Sequence, residues 1–133
     1  VREGIGLIKK PVINSSESQL VARALLEEDI DVFFALPDNV IFASFEVILA
    51  ACNDAAVPIF TSEAGLVERG AVASYGADFY LWGYQAGEQA AAFLNGDKPE
   101  GPEEVKVRTR IFNPQSAARF SIEPGPGFDP TGN

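Results

Sequence analysis

Short apolar runs alternate with longer helical segments along this chain, and this alternation constrains the fold more than any other feature. Runs rich in β-branched and aromatic residues predict strands at 5–13, 31–36, 57–61, 71–75 and 105–112. Apolar residues spaced three and four apart predict helices at 17–28, 40–56 and 79–94, with short helices at 66–69 and 115–120. Strands that alternate with helices predict an α/β domain, a parallel sheet with helices on both faces.

The segment that follows the helix at 79–94 divides the chain. Asn95-Gly96 is a typical helix stop, and 97–104 is a linker rich in Pro, Gly and charge. We therefore predict one α/β domain over 1–104. A strand, a short helix and an irregular tail follow over 105–133.

Charge and composition exclude several functions. The 133 residues carry a net charge of −9 and include no histidine. So acidic a chain repels phosphate, which argues against nucleic acid as a partner. Without histidine, the commonest general base and metal ligand are absent, and no nucleophile or phosphate-binding loop stands out, so we predict a non-enzyme with no cofactor. Cys52, the one cysteine, lies in an apolar run and is predicted to be buried.

Polar residues follow the predicted strands at the points where those strands end. In open α/β sheets, ligands bind beyond the carboxyl ends of the strands. Carboxylates and amides can hold an ammonium or a hydroxyl group, and helix N-termini can hold a carboxylate. This chemistry suits a zwitterionic amino acid or a polyol. The candidate ligand-binding residues are Ser15, Ser16, Asp38, Asn39, Ser62, Glu63 and Asp78.

A purely structural interpretation of the same residues stays open. Asp, Asn and Ser are the preferred helix N-caps, and Asp38-Asn39 after Pro37 is also ordinary turn chemistry. The aromatic run at 79–84, including Trp82, is more typical of a core than of a binding site. The Gly83-x-x-x-Gly87 spacing in the same helix indicates close packing.

Three segments and one turn carry a resemblance to a known family. The segments are 36–63 (LPDNVIFASFEVILAACNDAAVPIFTSE), 67–99 (VERGAVASYGADFYLWGYQAGEQAAAFLNGDKP) and 112–118 (FNPQSAA), and the turn is Asn14-Ser15-Ser16-Glu17. Together they resemble the ABC transporter substrate-binding proteins of the tryptophan/tyrosine-binding type, a branch of the periplasmic binding protein type I fold. The match covers nearly the whole chain in register.

The resemblance implies a function and a site. Such proteins clamp a small solute between two α/β lobes without chemistry and pass it to an ABC permease; family members carry amino acids, often aromatic ones. This chain corresponds to the C-terminal lobe. The loops at Asp38-Asn39, Ser62-Glu63 and 76–78 would line the cleft, with Asp38 as the partner of a ligand ammonium and Ser15 and Ser16 nearby. The implied location is periplasmic or extracellular, with a lipid anchor on a preceding segment as one form of attachment.

Two departures from the family qualify these expectations. The N-terminal lobe and the first strand and helix of the C-terminal lobe have no counterpart here, and the opening Val-Arg-Glu-Gly is not a natural start. We therefore expect a lobe truncated at its N-terminus, with 5–13 as the lobe's second strand and 105–112 as a hinge-crossing strand that lacks partners. The other departure is local, because the family commonly has Ser-Asp at Ser62-Glu63.

An exposed strand edge follows from such a truncation. It favours a homo-oligomer, or association with the missing N-terminal lobe. Two alternative functions stay open: a sensory ligand-binding domain of the same fold that feeds a regulator or kinase, and a fragment that binds no ligand.

Overall fold

A computed structural model describes residues 4–98 and 101–132 of the chain. The helices are α1 (Ser15–Leu26), α2 (Asn39–Asp54), α3 (Ala64–Glu68), α4 (Phe79–Leu94) and α5 (Pro114–Arg119). The strands are β1 (Phe33–Ala35), β2 (Ile59–Thr61), β3 (Ala73–Ala77), β4 (Arg108–Phe112) and β5 (Asp129–Pro130). Nearly every predicted helix and strand is present within a few residues of its expected ends.

The strands form one mostly parallel sheet in the order β1-β2-β3-β4-β5. β1, β2 and β3 run parallel, with Phe33 opposite Ile59 and Thr61 opposite Ser74. β4 runs antiparallel to β3, and β5 runs parallel to β4. The predicted α/β class is confirmed, with β4 and β5 running in the direction opposite to β1–β3.

The core lies where the helices cover β1 and β2. Phe33, Ala35 and Ile59 of the sheet are buried against α1, α2 and α3. α1 packs lengthwise against α2, and α3 packs against β2, β3 and β4. The helices contribute these buried residues to the same cluster: Ala22, Phe45, Ile48, Cys52, Leu66 and Val67. Cys52 is buried as predicted.

The prediction of a strand at 5–13 is wrong. The described residues 5–13 have no regular structure, and Ile5, Leu7 and Ile13 are each more than 60% exposed. A strand needs a neighbour with which to share its backbone hydrogen bonds, and these residues pair with no strand of the described chain. Instead, Lys10 Nζ ties the segment to α1 by donating to the carbonyl oxygen of Ala24, at 2.8 Å.

The strand predicted at 105–112 is present as β4, but the expectation that it lacks partners is wrong. β4 pairs with β3 on one side, where Ser74 lies opposite Ile111, and with β5 on the other. The tail predicted to be irregular supplies β5, which is two residues long. Both β4 and β5 therefore belong to the same sheet as β1–β3.

The prediction that Trp82 belongs to the core is also wrong. Trp82 is 48% exposed, and its ring stacks on that of Phe79 with the centroids 6.1 Å apart. Gln85 is the one buried residue of α4. Its side chain donates to the carbonyl oxygen of Glu104 and accepts from the backbone N–H of Lys106, both at 3.0 Å. The helix is thus anchored by a polar contact, and its apolar side chains face outward.

Candidate functional site

Three carboxylates lie at the ends of the three parallel strands. Asp38 follows β1, Glu63 follows β2 and Asp78 follows β3, and each is the N-cap of the next helix. Asp38 Oδ1 accepts from the backbone N–H of Val40 at 2.7 Å. Because β1, β2 and β3 run parallel, their carboxyl ends meet at one edge of the sheet. The three carboxylates therefore share that edge.

The other two caps have the same chemistry. Glu63 Oε2 accepts from the backbone N–H of Leu66 at 2.9 Å, and Asp78 Oδ1 accepts from that of Leu81 at 2.9 Å. Asp38 and Asp78 therefore cap helices, as the structural interpretation predicts. The same interpretation is wrong for Ser15 and Ser62, because Asn14 and Glu63 are the caps of α1 and α3. Capping does not exclude ligand binding, because each reported cap uses one oxygen of a carboxylate that has two.

A close backbone contact joins the second and third strand ends. At Gly76 of β3, a Cβ atom would lie 1.8 Å from the carbonyl oxygen of Ser62, so only glycine fits there. Nearby, Thr61 Oγ1 accepts from the backbone N–H of Glu63 at 3.3 Å. These contacts hold the loop at Ser62-Glu63 directly against β3. The glycine could have been recognised from the sequence as a candidate for close approach, but its partner could not.

Exposure differs among the candidate residues at this edge. Asp38 and Asn39 are exposed, whereas Ser62, Glu63 and Asp78 are half-buried. Asn39 opens α2, a helix of 16 residues, and Asp78 precedes α4, which has the same length. A helix N-terminus carries a partial positive charge and free N–H groups. The edge thus combines carboxylate acceptors with N–H donors.

Ser15 and Ser16 do not follow a strand, because residues 5–13 have no regular structure. Both are exposed in the first turn of α1, whose cap is Asn14 Oδ1, an acceptor from the backbone N–H of Glu17 at 3.2 Å. They line a shallow depression of about 280 Å³ between α1 and α2. Its other lining residues are Ala43, Ser44, Glu46 and Val47. Of the candidate residues, only these two serines line this depression.

Asp38 borders a second cavity, of about 230 Å³, which is lined mainly by apolar side chains. This cavity lies between residues 10–12, α1, α2 and the outer edge of β1. Its apolar walls include Val21, Leu25 and Ile41. Asp38 therefore stands between a polar sheet edge and an apolar groove.

One charged cluster is not predicted from the sequence. Arg69, at the C-cap of α3, donates from Nε and Nη2 to the two carboxylate oxygens of Glu46, both at 2.8 Å. Nη2 also donates to the carbonyl oxygen of Phe42 at 2.8 Å, and the guanidinium lies 5.1 Å from the ring centre of Phe45. Hydrogen bonding to Arg69 lowers the pKa of the Glu46 carboxyl. Because the partners are 23 residues apart, no local spacing predicts the pair.

The described residues, 4–98 and 101–132, also bear on metal binding, membrane crossing and the reactivity of Cys52. They contain no group of three or more His, Cys, Asp or Glu side chains placed to hold a metal ion. Within the same part of the chain, no helix is both long and apolar enough to cross a membrane. Burial raises the pKa of the Cys52 thiol to about 12, so at neutral pH this cysteine is protonated and a poor nucleophile.

Comparisons with known proteins agree with the fold and the resemblance. The tyrosine-binding protein of Clostridioides difficile (strain R20291) is 36% identical over 90 residues, which are 68% of this chain and 26% of that protein. A solved conserved domain protein from Vibrio cholerae O1 biovar El Tor str. N16961 is 31% identical, with a TM-score of 0.77 over 94% of this chain and 43% of the other.

A third relative shows the fold alone, because it is 22% identical. It is an ABC domain from Streptococcus pneumonia in complex with L-Trp, with a TM-score of 0.77 over 92% of this chain and 42% of the other. The chain thus spans about a quarter of the curated relative and less than half of each solved chain. The model of the family described as ABC transporter substrate binding protein matches residues 1–124. The chain therefore belongs to the ABC transporter substrate-binding protein family.

Proposed function

We propose that this chain is a ligand-binding lobe of an ABC importer's substrate-binding protein, and that it binds an amino acid without chemical change. Tyrosine and tryptophan are the first candidates, because one relative is named a tyrosine-binding protein and another was solved with L-Trp. The ligand would lie between this lobe and a second one, in a cleft along the edge that carries Asp38, Ser62 and Asp78.

The observation that carries this proposal is the row of capping carboxylates at the carboxyl edge of β1–β3. Asp38 is the exposed member of the row, so its side chain is the most accessible to a ligand ammonium. The N-terminus of α2 beside it offers N–H groups for a ligand carboxylate. Asn39, Ser62, Glu63 and Asp78 complete the proposed edge. Ser15 and Ser16 belong to the proposed site only at its periphery, since they line a separate depression.

The proposal extends to partners and place. A substrate-binding protein of this family would deliver its ligand to an ABC permease, and it would work in the periplasm or outside the cell, held at the membrane by a lipid anchor or by the permease. The outer edge of β1 pairs with no strand in the described part of the chain, which supports self-association or association with a second lobe.

Amide NMR spectra recorded during titration with L-tyrosine and L-tryptophan test the ligand. One lobe binds weakly because clamping needs both halves, and NMR detects weak binding. We expect shifts at 38–40, 62–66 and 78–81, with L-lysine and L-glutamate giving smaller ones. Shifts confined to other parts of the chain, or none with any amino acid at millimolar concentration, would contradict the proposed site.

A further inference from the structure

Arg69 joins the helices that begin at the first two strand ends. α2 starts after Asp38 and α3 starts after Glu63, and Arg69 is the C-cap of α3. The backbones of α2 and α3 approach each other at few places, so side chains set the separation of the two helices. Arg69 provides a direct link, because its guanidinium reaches from the end of α3 to the side of α2.

The guanidinium of Arg69 is held at three points of α2. Nε and Nη2 donate to the two carboxylate oxygens of Glu46, both at 2.8 Å, and Nη2 also donates to the carbonyl oxygen of Phe42 at 2.8 Å. The group lies over the ring of Phe45, 5.1 Å from its centre, and Phe45 is fully buried. A planar guanidinium that donates in a fork and stacks on a ring can take few other orientations. The contact is therefore a rigid link between the two helices, which we call the Arg69 brace.

The Arg69 brace acts close to the start of each helix. Phe42 closes the first turn of α2, where its backbone N–H donates to the carbonyl oxygen of Asp38 at 2.8 Å. On the other side, the backbone N–H of Arg69 donates to the carbonyl oxygen of Gly65 at 3.3 Å, and α3 has five residues, so Arg69 is close to the cap at Glu63. The carbonyl group that Arg69 holds thus belongs to the turn that Asp38 caps.

We propose that Arg69 is a positioning residue of the proposed ligand-binding edge, where Asp38 and Glu63 lie. The Arg69 brace fixes the first turn of α2 against α3, and it thereby holds the Asp38 carboxylate in place relative to the loop at Ser62-Glu63. Arg69 does not itself contact the ligand in this role. A group that is already in place loses less freedom when the ligand binds, so the brace raises affinity. This inference rests on the proposed function, because it concerns the same edge.

Placement distinguishes the Arg69 brace from an ordinary surface ion pair. Arg108, for example, pairs with Glu104, four residues away in the same exposed segment. Such a pair adds little to stability and fixes no element against another. Arg69 and Glu46 are 23 residues apart, and one caps α3 while the other lies on α2. Loss of the Arg69 brace should therefore change the relation of two helices, and with it the geometry of the edge.

Two substitutions at position 69 test the brace. Arg69→Met removes the guanidinium and keeps an unbranched, apolar stem against Phe45. Arg69→Lys keeps the positive charge, but an ammonium group cannot reproduce the fork that reaches both Glu46 and Phe42. Each variant of the full chain is titrated with L-tyrosine and followed by amide NMR. Urea unfolding checks that each variant is folded under the conditions of the titration.

Arg119→Met is the matched control. Nη2 of Arg119 also donates to a carbonyl oxygen of α2, that of Asn53 at 3.2 Å, and its guanidinium also lies over a ring, that of Phe120. Asn53, however, is in the last turn of α2, at the opposite end from Asp38. The same chemical change there loosens α2 without affecting the turn that Asp38 caps.

We expect Arg69→Met to shift the ligand-free amide signals at 38–40 and 63–66 and to weaken L-tyrosine binding about two- to tenfold. Arg69→Lys should weaken binding less, and Arg119→Met should change neither the affinity nor those signals. An Arg69→Met affinity equal to that of the wild type overturns the proposal, and so does an equal loss of affinity in Arg119→Met. If Arg69→Met does not fold, the same comparison is made with Arg69→Lys.

Failure of the proposed function would give a different result, a wild-type chain that binds neither L-tyrosine nor L-tryptophan. In that case the ligand-free signals decide whether the brace fixes the edge. Signals at 38–40 that stay in place in Arg69→Met overturn it, and displaced signals support it.

Discussion

Replacing Asp38 separates its two roles, because the cap and the proposed ligand contact need different properties of the side chain. The cap needs an oxygen acceptor for the backbone N–H of Val40, which lies 2.7 Å from Asp38 Oδ1. The ammonium of an amino acid needs a negative charge. Asparagine keeps the acceptor and removes the charge, and it is as good an N-cap as aspartate. Alanine removes both.

The magnitudes differ enough to be distinguished. Asp38→Ala should lower the free energy of unfolding by about 1 kcal/mol through loss of the cap. Asp38→Asn should change it by no more than about 0.5 kcal/mol, since only a charge near the helix dipole is lost. For ligand binding, a hydrogen bond to a charged group contributes about 1.5–3 kcal/mol, so both variants should bind about 10- to 150-fold more weakly.

Urea unfolding followed by circular dichroism measures the stabilities, and NMR titration with L-tyrosine measures the affinities. Asp31→Asn is the control, because Asp31 is exposed and precedes β1, at the opposite end of the strand from Asp38. The same change of charge there should leave binding unaltered. If Asp38→Asn bound tyrosine as tightly as the wild type, Asp38 would be a cap only, and the ammonium contact would have to be assigned elsewhere.

Three further predictions concern the framework of the site. Gly76→Ala should destabilise the fold by at least about 2 kcal/mol in urea unfolding, because its Cβ would collide with the carbonyl oxygen of Ser62; no loss would mean that Ser62 and β3 are not in contact. Burial raises the pKa of the Cys52 thiol from 9.0 to about 12, so stability is fully present below pH 9 and falls as the pH rises toward 12. The loss is about 1.4 kcal/mol per pH unit in that window, and Cys52→Ala should lack this component of the alkaline unfolding curve. Asn113→Asp keeps the cap of α5 but loses the hydrogen bond from Nδ2 to the carbonyl oxygen of Val67, at 3.0 Å, so the melting temperature should fall. Asn113→Ser loses the same hydrogen bond without adding a charge. A higher melting temperature for Asn113→Ser than for Asn113→Asp would show that the added charge contributes to the destabilisation.

The elements that the sequence predicts best have their determinants within a few residues of their ends. α4 begins and ends as predicted because Asp78 is a strong cap and Asn95-Gly96 is a strong stop. The prediction of a strand at 5–13 is wrong because a strand depends on a neighbour elsewhere in the chain, which composition does not reveal. The prediction that Trp82 lies in the core is wrong for a related reason, because its apolar character indicates burial but not the surface against which it is buried.

The sequence predicts candidate positions at the ends of the strands but does not assign their roles. The types of residue that cap helices are also the types that bind amino acids, so the residue types of Asp38 and Asp78 do not distinguish the two interpretations. Ser15 has a residue type that suits ligand binding, but it lines the depression between α1 and α2 instead of the strand ends. The contact of Ser62 with Gly76 joins strands whose order along the sheet the sequence does not fix.

The carboxylates of the three caps differ in exposure. Glu63 reaches back over α3: its Oε2 accepts from the backbone N–H of Leu66, and a methyl group at Gly65 would lie only 3.1 Å from the same oxygen. The carboxylate of Glu63 thus lies folded back onto the helix that it caps. Asp38, in contrast, has a short side chain that is exposed and held in one orientation by its cap. A polar group that is already oriented loses less entropy when it binds. We therefore propose that the electrostatic part of ligand recognition depends on Asp38 more than on Glu63, and that the ligand ammonium is selected at the edge of β1 rather than at that of β2.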